Sequence, residues 1–158
     1  MTGAAVFAAV LGTYLVAHQV GDYWVQTDHQ AQTKGRPGWS GRWACTKHVA
    51  TYTLTLALCL ATVDWWLGMP VQPAWAAAGL TVSAVTHYWA DRRTTLAWLA
   101  RLLGSGGFYR AGTGLATGAA HLDQSWHWLW LGIDTHITTG PCPPPQPGDG
   151  PRDTTKAG

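Results

Sequence analysis

The sequence predicts an all-α, polytopic membrane helix bundle of about four segments, and three observations predict it. Charged residues make up 11% of the chain and hydrophobic residues 47%. Soluble domains average roughly 25% charged, so these few, clustered charges do not coat a globule. The eleven tryptophans belong to the residue type that gathers at membrane interfaces. Four apolar stretches each carry histidine or aspartate toward one end. The mean hydropathy of −0.02 averages these stretches with polar loops and a polar tail.

At 158 residues the chain reads as one membrane helix-bundle domain, residues 1–139, followed by a disordered tail, 140–158. The formal net charge is only +2. No basic stripe with interleaved aromatics and no nucleic-acid motif is present, which argues against a nucleic-acid partner. Cys45, Cys59 and Cys142 show no C-x-x-C and no paired spacing, so no disulfide framework is expected. Cys59 reads as a small apolar packing residue.

Residues 3–25 form the first span. No Lys or Arg precedes it, so it lacks the charged start of a secretory signal and reads as a retained helix. Thr27–Trp43 reads as a polar loop with Lys34, Arg36, Pro37, Gly38 and Gly41. The second span runs from about Ala44 to Leu67. Its many threonines are tolerated in a membrane by bonding their own helix backbone, and Asp64, Trp65 and Trp66 mark its far interface. Gly68–Pro73 is a tight connection. The third span runs from near Ala74 to Asp91, and the amphipathic run after it, Arg92–Leu103, reads as extending the helix along the membrane surface. Gly104–Gly118 lacks the G-K-[ST] ending of a phosphate-binding loop and reads as a flexible linker. Ala119–Thr139 is the fourth segment, spanning within the bundle or lying in the interface. Proline and glycine dominate from Gly140 onward, which forbids a packed core there.

Lys34, Arg36, Arg42 and Lys47 lie between spans one and two, and Arg92, Arg93, Arg101 and Arg110 between spans three and four. The turn between spans two and three has no basic residue. With four helices, both basic loops fall on one side, which the positive-inside rule makes the cytoplasm.

His18, Asp22 and Gln26 recur every four residues and form one stripe on a helix. His87 and Asp91 repeat the spacing, Asp123 and His127 reverse it, and His48 opens the second span. At about 1.5 Å rise per residue, His18, Asp22, His48, His87, Asp91, Asp123 and His127 all fall in one layer near the cytoplasmic boundary. Ionisable groups inside a membrane face the bundle interior and mark function. Histidine and aspartate are ligands for zinc, iron or manganese, so a divalent metal ion is the expected cofactor. The seven residues suit one site or two adjacent ones. Such an ion lowers the pKa of bound water toward neutrality. This favours a metal-dependent hydrolase in which Asp22, Asp91 and Gln124 are the catalytic candidates, with Gln26 also able to orient water or substrate. Its partners would be the bilayer and a lipid or other membrane-associated substrate. The alternative is a non-catalytic membrane protein, a small transporter or assembly subunit, using these residues for ion passage or as polar glue between helices. His29 and His136 read as surface residues. His121 lies about 120° around the helix from His127, and Asp64 and Asp134 read as solvated near the opposite interface.

Four pieces carry a family resemblance: A-H-Q-V-G-D-Y-W-V-Q-T-D with Lys34 downstream, K-H at 47–48, T-H-Y-W-A-D-R at 86–92, and L-D-Q-S-W-H at 122–127. In order and spacing the chain resembles a bacterial family of small polytopic membrane proteins without assigned function, domain-of-unknown-function family three-three-zero-seven, over most of residues 10–132. That family often has a lysine shortly after the second H-x-x-x-D, where Arg92 and Arg93 stand here. The resemblance implies the fold and the site and brings no known reaction. The repeated H-x-x-x-D is also, more loosely, similar to membrane-bound metal-dependent hydrolases.

Overall fold

The computed structural model describes residues 1–113 and 117–141, and these are helical, with no strand among them. Helix α1 (Gly3–Val20) runs straight into a π turn (Gly21–Val25). It is followed by α2 (Asp28–Thr33), α3 (Gly38–Leu67), α4 (Pro73–Asp91), α5 (Thr94–Leu102), α6 (Gly106–Tyr109) and α7 (Gly118–Thr139).

The boundaries follow local chemistry. Thr2 and Thr117 cap α1 and α7, accepting hydrogen bonds from Ala5 N at 3.3 Å and Ala120 N at 3.2 Å. Pro73 opens α4, where its missing N–H is no loss. Gly68, at φ 58°, closes α3 in the left-handed conformation that favours glycine.

Four long helices form the body. Helices α1 and α4 each pack on α3 and α7, so the four close into a ring. The C-terminal parts of α1 and α4 meet the N-terminal halves of α3 and α7, so chain direction alternates around the ring. The fourth segment therefore belongs to the bundle and does not lie beside it. Gly79 is what lets α4 approach α7: a Cβ there would overlap Thr138 Oγ1 and come within 2.9 Å of the Asp134 carbonyl oxygen.

The ring interior below the helix ends is filled by Val6, Val10, Tyr14, Ala17, Tyr52, Leu56, Leu60 and Leu131. The outside is apolar as well, with Val16, Leu54, Leu58, Val85 and Leu129 exposed. Tryptophans mark both ends. Trp24, Trp39 and Trp43 are exposed at one, and Trp65, Trp66 and Trp75 at the other. Trp43 and Trp65 are 22 residues apart on α3, roughly 33 Å at ~1.5 Å per residue. The helical runs Gly3–Val25 and Gly38–Leu67 are long and apolar enough to cross a membrane. Thr51, Thr55 and Thr62 bond carbonyls of their own helix, as expected for the second span.

Several local expectations are corrected. The stretch 27–43 is not one loop. Thr27 and Gln30 exchange side-chain bonds with each other's backbone N–H in a capping box that nucleates α2. Helix α3 begins at Gly38, so Trp39–Trp43 are helical. The run after Asp91 does not continue α4. The chain breaks at Arg93, whose φ of 55° is uncommon for a residue with a side chain, and then starts α5. Arg93 is held there by donating to Ala31 O at 3.2 Å and accepting from Tyr109 Oη at 3.4 Å. The glycine-rich stretch 104–118 contains α6 and the first residue of α7. Cys45 and Cys59 are free. Cys142 and the tail from 142 onward, which sequence reading assigned to disorder, lie outside the described residues.

Candidate metal centre at the helix ends

Helix periodicity brings four helices' polar positions to one depth, and the side chains turn inward. His18, His48, His87, Asp22, Asp91 and His127 are all buried. His29, His121 and His136 are exposed, as their positions around the helices require.

The tightest part of the layer holds four atoms. His48 Nε2 and His87 Nε2 are 3.1 Å apart. Asp22 Oδ1 lies 3.2 Å from His48 Nε2 and 3.3 Å from His87 Nε2. Asp91 Oδ2 lies 3.3 Å from each. Five of the six separations among these atoms thus lie at 3.1–3.3 Å, and the ligand groups they belong to are His18–Asp22–His87 and His48–His87–Asp91, which share His87. Separations of this size are what neighbouring ligand atoms show around a zinc ion bound at ~2.0–2.2 Å.

Hydrogen bonding alone does not explain this cluster. Asp22 Oδ1 and Asp91 Oδ2 are buried yet accept no aligned hydrogen bond, despite two imidazole nitrogens within 3.3 Å of each. The Nδ1 atoms of His18, His48 and His87 also lack partners. The His87 ring is instead held by stacking, with Tyr52 on one side at 3.8 Å and His127 at 4.1 Å.

The rest of the layer adjoins this core. His18 Nε2 is 3.7 Å from Asp22 Oδ2 and 3.3 Å from Gln124 Oε1. His127 Nε2 is 3.6 Å from Asp123 Oδ2, and one ligand atom each of Asp91, Asp123 and His127 fall within 4.8 Å of one another. Asp91 thus belongs to two adjoining ligand groups. All seven sequence-derived ligands are brought together, and these buried groups could hold a metal ion.

The π turn sets the Asp22 end. Gly21 packs so closely on Tyr52 that a Cβ would come 2.9 Å from its ring. The turn closes by Gln26 N donating to Gly21 O at 3.2 Å. Insertions of this kind are frequent at functional sites. The turn also ends the expected stripe. Gln26 directs its amide N–H back to the Asp22 carbonyl at 3.0 Å.

Sequence reading missed Lys34. Its ammonium lies 2.7 Å from Asp91 Oδ1 and is nearly buried. The arginines after Asp91 explain how it gets there. Arg92 donates from Nη1 to Lys34 O and from Nη2, at 2.6 Å, to Arg36 O, which fastens the α2–α3 connection over the end of α4. Lys34 thus gives Asp91 an ammonium partner, whereas Asp22 and Asp123 have histidines as neighbours. Tyr14, Tyr52 and Ser83 were missed too. Each lies four residues from His18, His48 or His87, so extending the same spacing one turn deeper would have found them. Asp134 is a correction: it is fully buried and not solvated.

A cavity of about 470 Å³ opens onto the layer. Asp22, Asp91, Asp123 and Gln124 line it from the bundle side, and Gln26, Lys34, Arg93 and Tyr109 complete its wall. No family model, curated protein or solved structure matches this chain.

Proposed function

We propose that the chain is a multi-pass membrane protein with a divalent-metal centre at the cytoplasmic ends of its helices, acting as a metal-dependent hydrolase on a lipid or other membrane-associated substrate. The observation that carries the reading is the close packing of His48, His87, Asp22 and Asp91 beside an open polar cavity. Two imidazoles and two carboxylates at 3.1–3.3 Å suit zinc first among zinc, manganese and iron. An ion held there would supply a water ionisable near neutral pH.

The chain's own residues have separate tasks in this reading. His48, His87, Asp22 and Asp91 hold the ion, and Asp91, Asp123 and His127 offer a second, more open place next to the cavity. Gln124, between His18 and the cavity, orients water or substrate. Lys34 offsets the Asp91 charge. Arg93 at the cavity wall attracts an anionic group. The two tryptophan belts and the apolar outer face support the bilayer as surroundings. Exposed Trp98 and Leu102 opposite buried Leu96 and Ala100 support α5 lying along its surface. Membership of the resembled family of unassigned function remains part of this proposal. The orphaned carboxylate oxygens favour ligation over the polar-glue alternative.

Asp22→Asn separates the two readings. In detergent-purified protein loaded with zinc, turnover of bis-p-nitrophenyl phosphate or of a fluorescent phospholipid in mixed micelles should fall by about 10²-fold or more, with the protein still folded. A polar-glue role predicts instead a lowered unfolding midpoint. Unchanged turnover and midpoint would leave neither reading standing.

Sidedness has its own test. In a cysteine-free background, single cysteines at Ser40 and Gly106 should resist an impermeant thiol reagent in intact cells and react once the membrane is opened. Efficient labelling of both from outside reverses the orientation.

A further inference from the structure

One buried ionisable group takes no part in the metal layer. Asp134 on α7 is 0% exposed. Neither of its carboxylate oxygens makes an aligned hydrogen bond, Ser83 being the hydroxyl within reach, and no cationic side chain pairs with it among the described residues. It lies seven residues beyond His127 on the same helix, roughly 10 Å deeper at ~1.5 Å per residue. An isolated carboxylate is strongly disfavoured in such surroundings, and intramembrane acids of this kind mark ion and proton sites.

The surroundings are oxygen-rich and ordered. Tyr14 Oη pairs with Thr138 Oγ1 at 2.9 Å, and Tyr52 Oη with Ser83 Oγ at 3.4 Å. Most hydroxyls in this bundle bond a carbonyl of their own helix, as Thr81, Thr86, Thr135 and Thr139 do. Ser83 and Thr138 instead pair with tyrosines across helices. Within each pair one hydroxyl donates to the other, which leaves one O–H free to turn. Tyr14 on α1 and Tyr52 on α3 are the titratable groups near enough to feel the Asp134 charge, and Ser83 on α4 is the hydroxyl within reach of it. Gly79 brings α4 against α7 at this level and closes the wall.

We propose that Asp134, with the hydroxyls of Tyr14, Tyr52, Ser83 and Thr138, is a second ligand site of the bundle that binds a monovalent cation, a proton or an alkali ion, on a carboxylate in an oxygen-only cage. Four hydroxyl oxygens and a carboxylate are hard donors suited to such an ion, whereas the imidazoles above suit a transition metal. The site stands without the metal reading, since none of its members belongs to the layer. Tyr52 joins the two, its ring stacked on His87 and its hydroxyl on Ser83.

Infrared difference spectroscopy of the full, detergent-purified chain tests it, with sodium chloride exchanged for choline chloride and with pH stepped. A protonated-carboxyl carbonyl band at neutral pH that is lost in Asp134→Asn identifies the proton as occupant. A sodium-induced shift of a carboxylate band, lost in the same variant, identifies an alkali ion. Either result supports the site. Wild-type protein with neither signal, or a signal that survives Asp134→Asn, overturns it. If Asp134→Asn does not fold, Ser83→Ala keeps the carboxyl and removes one wall of the cage. It should move the carbonyl band or weaken the sodium response severalfold, and an unchanged spectrum overturns the cage.

Discussion

Replacing His87 with alanine should drop the zinc content of the detergent-purified protein from about one ion per chain to background. His87 is the residue to choose because its Nε2 is within 3.3 Å of His48, Asp22 and Asp91 and it belongs to two of the three ligand groups. A structural zinc site contributes about 10–16 kcal/mol of binding free energy. One ligand of four, taken as a quarter of that, corresponds to a loss of roughly 10²–10³-fold in affinity. Competition with a chromophoric chelator reads this directly. His121→Ala, exposed on α7, is the control and should retain the ion. Equal metal content in wild type and His87→Ala would remove the metal centre, and with it the hydrolase reading.

The second large effect concerns the contact that holds the bundle together at depth. Gly79→Leu should lower the unfolding midpoint in detergent and weaken zinc retention as well. Even the Cβ overlaps Thr138 Oγ1 and approaches the Asp134 carbonyl, which is backbone and cannot rotate away. Helices α4 and α7 must then separate, and overpacking of this kind costs roughly 1–3 kcal/mol or more. In a membrane the loss is not recovered elsewhere, because helix association there rests on close packing and not on exclusion of water. Metal retention suffers because α4 carries His87 and Asp91. Gly12→Ala, with open space around the position, should cause no loss. A Gly79→Leu midpoint equal to wild type would show that the α4–α7 contact does not carry the fold.

Which residues share a depth is readable from the chain alone. His18, His87 and their aspartates close helices while His48, Asp123 and His127 open them, and in helices of alternating direction those positions coincide. That inference needs only the helical rise and an even number of crossings. Apolar segments also marked the long helices well, because in a bundle that is apolar inside and outside, composition alone separates helix from connection. Several features were decided only in three dimensions. The 3.1–3.3 Å spacing of the inner four ligands depends on how the ring closes and on stacking of Tyr52 and His127 against His87. Lys34 reaches Asp91 because Arg92 clamps two carbonyls 56 and 58 residues away in sequence, a contact with no periodic signature. Asp134 looked solvated because its position near the end of α7 suggested an interface. Its side chain points inward, and Gly79, a residue with no chemistry of its own, allows α4 to cover it. A residue's depth follows from counting along the chain, but its exposure depends on what the neighbouring helix places opposite it.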